Sequence, residues 1–197
     1  MMVSPKSAGF YTHPMKLPML LFRAYPKEFW VLWVGSLINR LAEFVVIFLA
    51  FYLSSTLKFS SVQVGVVLGM LGVGHMVASS VGGQLIDRYG ALVVMQLALF
   101  GGAALLLVLS FANQYWMFAG GVFLFSMFSY MYKPAMSVAV ADLTSGSQRT
   151  QAYNLLYWAV NVGASVAPIL GGWLSGWSFK LLFYLDALTM AIYGFLV

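Results

Sequence analysis

Six long apolar runs separated by short polar breaks follow a mixed amino-terminal tail. The first run spans Phe29–Leu53 and gives way to a polar loop, Ser54–Ser61, that holds Lys58. The second covers Val62–Ile86 and the third Ala91–Phe111. After the short break Ala112–Gln114, the fourth starts at Tyr115 and runs to Tyr132 or as far as Val140. A polar loop, Asp142–Thr150, precedes the fifth run, Gln151–Leu174. Ser175–Lys180 then turns the chain into the sixth, which starts near Leu181. The sixth is still apolar at Val197, so the chain reads as truncated within or just after it. Each run is close to the roughly 20 residues that a bilayer core requires. Lipid offers no partner to an unpaired backbone group, so the form predicted is an all-α membrane protein, a bundle of six transmembrane helices.

Residues 1–28 make the tail, with Pro5, Pro14, Pro18 and Pro26 among Lys6, Lys16, Arg23 and Lys27. Its apolar piece, Leu17–Phe22, is too short and too interrupted for a signal-peptide core. A cytoplasmic tail is expected, followed by a bundle over residues 29–197. Basic residues set the orientation. With the tail inside, Lys16, Arg23, Lys27, Arg88 and Arg149 lie on the inner side and Lys58 and Lys180 on the outer. Trp30 and Trp33 then fall at the inner edge, and Tyr115, Trp116, Trp173 and Trp177 at outer edges, as interfacial belts require. The expectation is a multi-pass protein of the plasma (inner) membrane with its amino terminus in the cytoplasm.

Gly82–Gly90, reading GGQLIDRYG, joins the second and third runs with almost no loop. Gly90 can take the positive φ that such a turn needs. Just before it, Val77–Leu85 (VASSVGGQL) matches Val166–Leu174 (VAPILGGWL) at an offset of 89, in valine, alanine, both glycines and leucine. One copy closes the second run at the inner side and the other closes the fifth at the outer. That is the mark of a three-plus-three inverted repeat, a device of transporters.

Composition narrows the function. Apolar residues are 62% of the 197 and charged residues only 8%, with a mean hydropathy of +0.90. Soluble domains run at about 45–50% and about 25%. With no cysteine there is no thiol chemistry and no Cys-based metal site. The net charge of +5 is scattered along the edges of apolar runs, which fits an anionic inner leaflet and gives no nucleic-acid footprint. No carboxylate pair, nucleotide loop or Ser/His/Asp set points to catalysis. Neither enzyme chemistry, nor a cofactor, nor a metal is expected.

The turn resembles the signature loop of the major facilitator superfamily, Gly-x-Leu-x-Asp-Arg-x-Gly followed by two basic residues. Gly83, Leu85, Asp87, Arg88 and Gly90 match; the basic positions are Ala91 and Leu92 instead. Lys133-Pro134, Asp142 and Arg149 resemble the pattern of the fourth span and the following loop in bacterial exporters of that superfamily. Asn161, Gly163, Pro168, Gly171 and Gly172 resemble its fifth-span antiporter motif, with Ala167-Pro168 where Gly-Pro is usual. The resemblance implies one six-helix half of a twelve-helix facilitator fold. It also implies a gate loop at Gly83, Asp87, Arg88 and Gly90, and close helix packing at Gly163, Pro168, Gly171 and Gly172.

Arg40 and Glu43 lie inside the first run, three residues apart and so on one helix face. An arginine at mid-bilayer costs about 2.5–3.5 kcal/mol on the insertion scale, so it should face a cavity or a partner. Charges this deep are functional candidates: Glu43 as a proton-coupling carboxylate, Arg40 as its tuner or as the holder of an anionic group. The alternative is a pair that merely cancels charge, and Glu43 can carry protons only if the pair separates during the cycle. Lys133 reads either as a snorkelling residue or as a cavity-lining cation. Phe125, Phe128 and Tyr132 share a face and read as cavity walls for a lipophilic or cationic substrate, or as ordinary packing. Asp142 and Arg149 read as a latch or as a solvated loop with a helix cap. Gly65 and Gly69 read as packing positions, His75 as a hydrogen-bonded core residue or a proton relay, and Asp186 as a minor candidate near the outer interface.

The expected function is secondary active transport by alternating access, with proton-coupled export of small lipophilic compounds across the lipid bilayer. A proton-coupled uptake symporter is the alternative within the fold. A non-transporting fragment, or a subunit that needs a second six-span half, is the alternative from another class.

Overall fold

A chain crossing hydrocarbon must close its backbone hydrogen bonds within each crossing. The computed structural model describes residues 24–197, and there it does so with seven helices and no strand. The tail expected over residues 1–28 lies mostly outside the described residues. α1 (Lys27–Leu41) and α2 (Phe44–Ser55) together make the first crossing. α3 (Ser61–Tyr89), α4 (Ala91–Leu109), α5 (Tyr115–Leu143), α6 (Gly146–Ser175) and α7 (Phe179–Leu196) make the other five. A reciprocal capping box starts α3. The Gln63 N–H donates to Ser60 Oγ at 3.4 Å and the Ser60 N–H donates to Gln63 Oε1 at 2.9 Å. Gly90, at φ 86°, is the single residue between α3 and α4.

Among the described residues, five stretches are long and apolar enough to cross a membrane: Lys27–Ser55, Ser61–Tyr89, Ala91–Leu109, Gln148–Ser175 and Phe179–Leu196. α5 has 29 residues, but Ser126, Ser129, Tyr130, Tyr132 and Lys133 dilute its apolarity. It can hold these groups because it lies along both α3 and α4.

Two boundaries differ from the sequence pattern. The first crossing, expected as one helix over Phe29–Leu53, breaks at Ala42 and Glu43. Asn39, Arg40 and Glu43 place polar residues there, but neither glycine nor proline marks a helix end. The stretch Asp142–Thr150, expected as a loop, is mostly helical. α5 continues through Pro134 to Leu143, and α6 starts at Gly146, leaving Thr144 and Ser145 as the link. Polar residues there mark the end of the apolar region, not the end of the helix.

The crossings interleave. α3 lies against α5, α6 lies against α1, and α4 sits between α5 and α7. Exchanging the first three crossings for the last three maps this pattern onto itself, and the glycines carry the symmetry. At Gly74 of α3 a Cβ would sit 2.6 Å from the Phe123 carbonyl oxygen of α5. At Gly163 of α6, 89 positions on, it would sit 2.5 Å from Arg40 Cβ and 3.2 Å from the Leu37 carbonyl oxygen of α1. Gly82 meets Met131 of α5, and Gly171 meets Phe44 and Phe48 of α2, at the same offset. Their neighbours Gly83 and Gly172 point outward. Gly65 and Gly69, expected as packing positions, have nothing within 4 Å and lie on an open face of α3.

Alanine substitution should therefore change sign with position. At Gly74 and at Gly163 the added methyl should cost about 1–3 kcal/mol through overpacking. At Gly83 it should stabilise by about 0.5–1 kcal/mol, because glycine is the poorer helix former. Thermal unfolding of the three variants in detergent micelles checks this, and equal effects at all three would contradict the packing described.

Candidate functional site

The break in the first crossing is where its charges meet. α1 ends as the Ala42 N–H donates to the Ile38 carbonyl at 3.1 Å and the Glu43 N–H to the Arg40 carbonyl at 3.4 Å. The Phe44 N–H then donates to the Ala42 carbonyl at 2.7 Å, with Glu43 at φ −72°, ψ 53°. Those angles and that bond define an inverse γ-turn centred on Glu43. The Glu43 carboxylate pairs with the Arg40 guanidinium across the turn, the two side chains being 30% and 24% exposed. The pair expected from helical spacing forms, yet its members belong to different segments.

α6 closes on both sides of this turn. Gly163 sits against Arg40 and Gly171 against Phe44 and Phe48, and any side chain at either glycine would hold the helices apart. Pro168, between them, is exposed and leaves α6 unbroken. Gly172 approaches Phe48 only at ordinary contact distance. Three of the four motif glycine and proline positions thus bear on the segment carrying Arg40 and Glu43, by contact or by lying between the contacts.

One turn before Arg40, a buried polar cluster ties three crossings together. Ser36 Oγ donates to the Leu32 carbonyl at 2.7 Å, and the Tyr193 hydroxyl of α7 donates to the same carbonyl at 2.9 Å. The Tyr132 hydroxyl of α5 donates to Ser36 Oγ at 3.2 Å, and Met136 Sδ lies 2.8 Å from Ser36 Oγ. Gly35 makes room, because a Cβ there would overlap the Tyr193 ring. Sequence reasoning named Tyr132 but missed Ser36, Met136 and Tyr193. Ser36 had a signal, since it precedes Arg40 by four residues on the same helix face. Tyr193 had none before the fold placed α7 beside α1.

Lys133 follows Tyr132 and faces α3. Its ammonium lies 4.5 Å from the Tyr130 ring centre, and the His75 ring stacks on the other partner of that contact, Tyr130, at 4.4 Å and 26°. The second and fourth crossings therefore bring His75 and Lys133 together on Tyr130, while the first holds Arg40 and Glu43, whose bond is the one ion pair among the described residues. Such a set can exchange a proton or take an anionic group.

Other candidates lie elsewhere. Phe125 and Phe128 turn toward the third crossing, at Gly102 and Gly101, away from this neighbourhood. Asp87 and Arg88 are exposed at the end of α3, with Arg88 5.3 Å from the Tyr89 ring centre, and Gly83 faces open space. Gly90 and Asp142 line one cavity of about 470 Å³, together with Lys27, Glu28 and Leu143. Arg149 donates to the Ala141 and Thr144 carbonyls at 2.9 and 3.1 Å, closing the end of α5. Asp186, expected near an interface about a turn into the sixth crossing, is instead buried at 3% exposure, two turns in. No group of three or more His, Asp or Glu side chains suited to a metal occurs among the described residues.

Comparisons with known proteins agree on one family. The model of the Major Facilitator Superfamily matches residues 32–197. The chain is 26% identical over 166 residues to the uncharacterized MFS-type transporter YqjV of Bacillus subtilis strain 168, covering 84% of the chain and 40% of that protein. It is 27% identical over 150 residues to the multidrug resistance protein MdtH of Salmonella choleraesuis, covering 74% and 37%. Among solved structures, a peptide transporter POT in complex with sulfate superposes with a TM-score of 0.73 at 21% identity, covering 87% of the chain and 37% of that structure. The chain spans about two fifths of the length of these relatives.

Tyr193→Phe removes one of the two donors to the Leu32 carbonyl and keeps the ring that fills the space beside Gly35. The expected cost is about 0.5–1.5 kcal/mol, that of one hydrogen bond, read as a lower unfolding midpoint in detergent. No change in midpoint would show that the hydroxyl contributes nothing to holding α7 on α1.

Proposed function

The chain belongs to the Major Facilitator Superfamily, and on that premise we propose that it forms one six-span half of a secondary transporter, exporting small lipophilic compounds by proton antiport. The observation that carries this reading is the Arg40–Glu43 pair at the break of the first crossing. Within one continuous helix, side chains three residues apart stay together. Across a turn they can part, because α1 and α2 can tilt independently. Separation frees Glu43 to take up a proton while Arg40 turns to another anion, and their re-pairing expels the proton. A potential of 100 mV supplies roughly 2.3 kcal/mol for each charge moved.

Lys133 and His75, joined through the Tyr130 ring, complete the polar wall in this reading. Tyr132 links that wall to the first and sixth crossings through Ser36 and Tyr193. The name of the relative MdtH supports export and a drug-like substrate class. The open faces of α3, with Gly65, Gly69 and Gly72, and of α6, with Tyr157, Asn161 and Ile169, support a second six-span half as partner. In this reading the site opens alternately to either side as the halves rock, in the inner membrane, with the amino terminus in the cytoplasm. The turn at Asp87, Arg88 and Gly90 and the helix ends at Asp142 and Arg149 make the inner gate.

Glu43→Gln in the complete protein should abolish proton-coupled flux in proteoliposomes under an imposed pH gradient, while membrane insertion is unchanged. Undiminished flux would remove Glu43 from the mechanism. Flux that persists but runs inward with the proton would identify an uptake symporter.

A further inference from the structure

Lys133 is a deep charge that no acidic side chain answers. It lies about 15 Å from the Leu143 end of α5, where a cation needs an anion or a polar surround. Of the five acidic residues in the sequence, Glu28, Asp87 and Asp142 stand in the first or last turn of α1, α3 and α5. Asp186 is buried on α7, whose main neighbour is α4, and Glu43 is taken by Arg40. What Lys133 has is a ring: its ammonium sits 4.5 Å from the centre of Tyr130, on which His75 stacks at 4.4 Å. A π face attracts a cation but does not neutralise it. The ammonium, the Tyr130 hydroxyl and the His75 ring nitrogens make no hydrogen bond among the described residues. The ammonium can only donate, and the other two groups can donate. Three such groups around one ring suit an anionic acceptor.

The surroundings suit an apolar body attached to that anion. His75, Tyr130 and Lys133 are half-buried and stand beside the open face of α3 at Gly72, Met76 and Ser79. One turn along the same side of α5, Met136 and Ser137 line a cavity of about 370 Å³ with Tyr153, Tyr157 and Val160 of α6. That volume falls within the range of small-molecule sites. The Tyr153 hydroxyl is already bound to the Ser137 carbonyl at 2.7 Å, so the walls offer mainly carbon. We infer, on the transport reading above, that this half holds a site for lipophilic acids. Lys133 takes the carboxylate or other anionic group, with the Tyr130 hydroxyl and His75 beside it, and the apolar body lies in the cavity between α5 and α6. A lipophilic cation meets no free carboxylate on this wall.

The test is binding of tritiated naphthoate to the complete protein in lipid nanodiscs, without a pH gradient, by scintillation proximity. Unlabelled naphthoate should displace the label at least tenfold better than naphthylmethylammonium or naphthylmethanol, which keep the rings and change the charge. Lys133→Gln should weaken binding at least tenfold, and Tyr130→Phe, which loses only the hydroxyl, about threefold. A parent protein that binds no naphthoate, or binds the ammonium compound as tightly, would overturn the proposal. The second result would also put a counter-charge for Lys133 in the other half. Undiminished binding in Lys133→Gln would overturn it too. The comparison of the three probes needs no variant, so it decides the matter even if Lys133→Gln fails to insert. Proton-driven flux of other compounds by a protein that ignores naphthoate would sink the acid site alone. Binding of naphthoate without any such flux would sink the transport reading alone.

Discussion

A backbone amide in hydrocarbon has only the protein to bond with, and at Ala42–Glu43 the first crossing puts that rule under strain. Everything near the turn answers to it. The γ-turn closes one amide, and farther along α1 the sixth crossing supplies the Tyr193 hydroxyl to the Leu32 carbonyl. The fifth crossing lies along both half-helices at Gly163 and Gly171, so the turn is enclosed by protein on that side. A charged pair at this depth is tolerable because its members neutralise each other and keep about a quarter of their surface open. The result is a first crossing whose two halves share one neighbour, the fifth crossing, on either side of the turn.

The same economy appears in how the helices meet. Gly74 and Gly82 let the second crossing reach the fourth, as Gly163 and Gly171 let the fifth reach the first. An offset of 89 that begins as a likeness of letters becomes a likeness of contacts, between helices running in opposite directions. Lipid gives no hydrophobic reward for helix association, so small residues at the crossing points carry much of the packing. The two copies differ in what they press on. Gly74 meets the backbone of α5 beside Ser126, whereas Gly163 meets Arg40. The repeat therefore supplies the architecture, and the first crossing supplies the charge.

How much of this was legible in the sequence depends on range. Six apolar runs, the sharp turn at Gly90 and the family resemblance are local features, and the fold follows them. The proximity of Arg40 to Glu43 was also local, and the pair forms. The break between them was not legible, because neither glycine nor proline marks the site and the charges there read equally well as a pair within one helix. Asp142–Thr150 misled in the opposite direction, since polarity reports the edge of the apolar region while the helices run past it. Phe125 and Phe128 share a face with Tyr132 in projection, yet the third crossing claims the two phenylalanines and the first claims the tyrosine. Ser36 and Tyr193 are joined to partners more than 90 residues distant, which no local pattern contains.

The interleaved packing also sets an order of events during biosynthesis. A chain made from its amino terminus delivers the first crossing to the bilayer before the fifth and sixth exist. Arg40 has its counter-charge from the outset, three residues along the same segment. The space beside Gly35 has no such local help, and is filled by the Tyr193 ring of the sixth crossing. Charge is thus settled early and locally, whereas the packing of the first crossing closes late and at long range. The sixth crossing is accordingly a checkpoint on assembly: until it docks, the earliest part of the bundle to enter the membrane is unfinished.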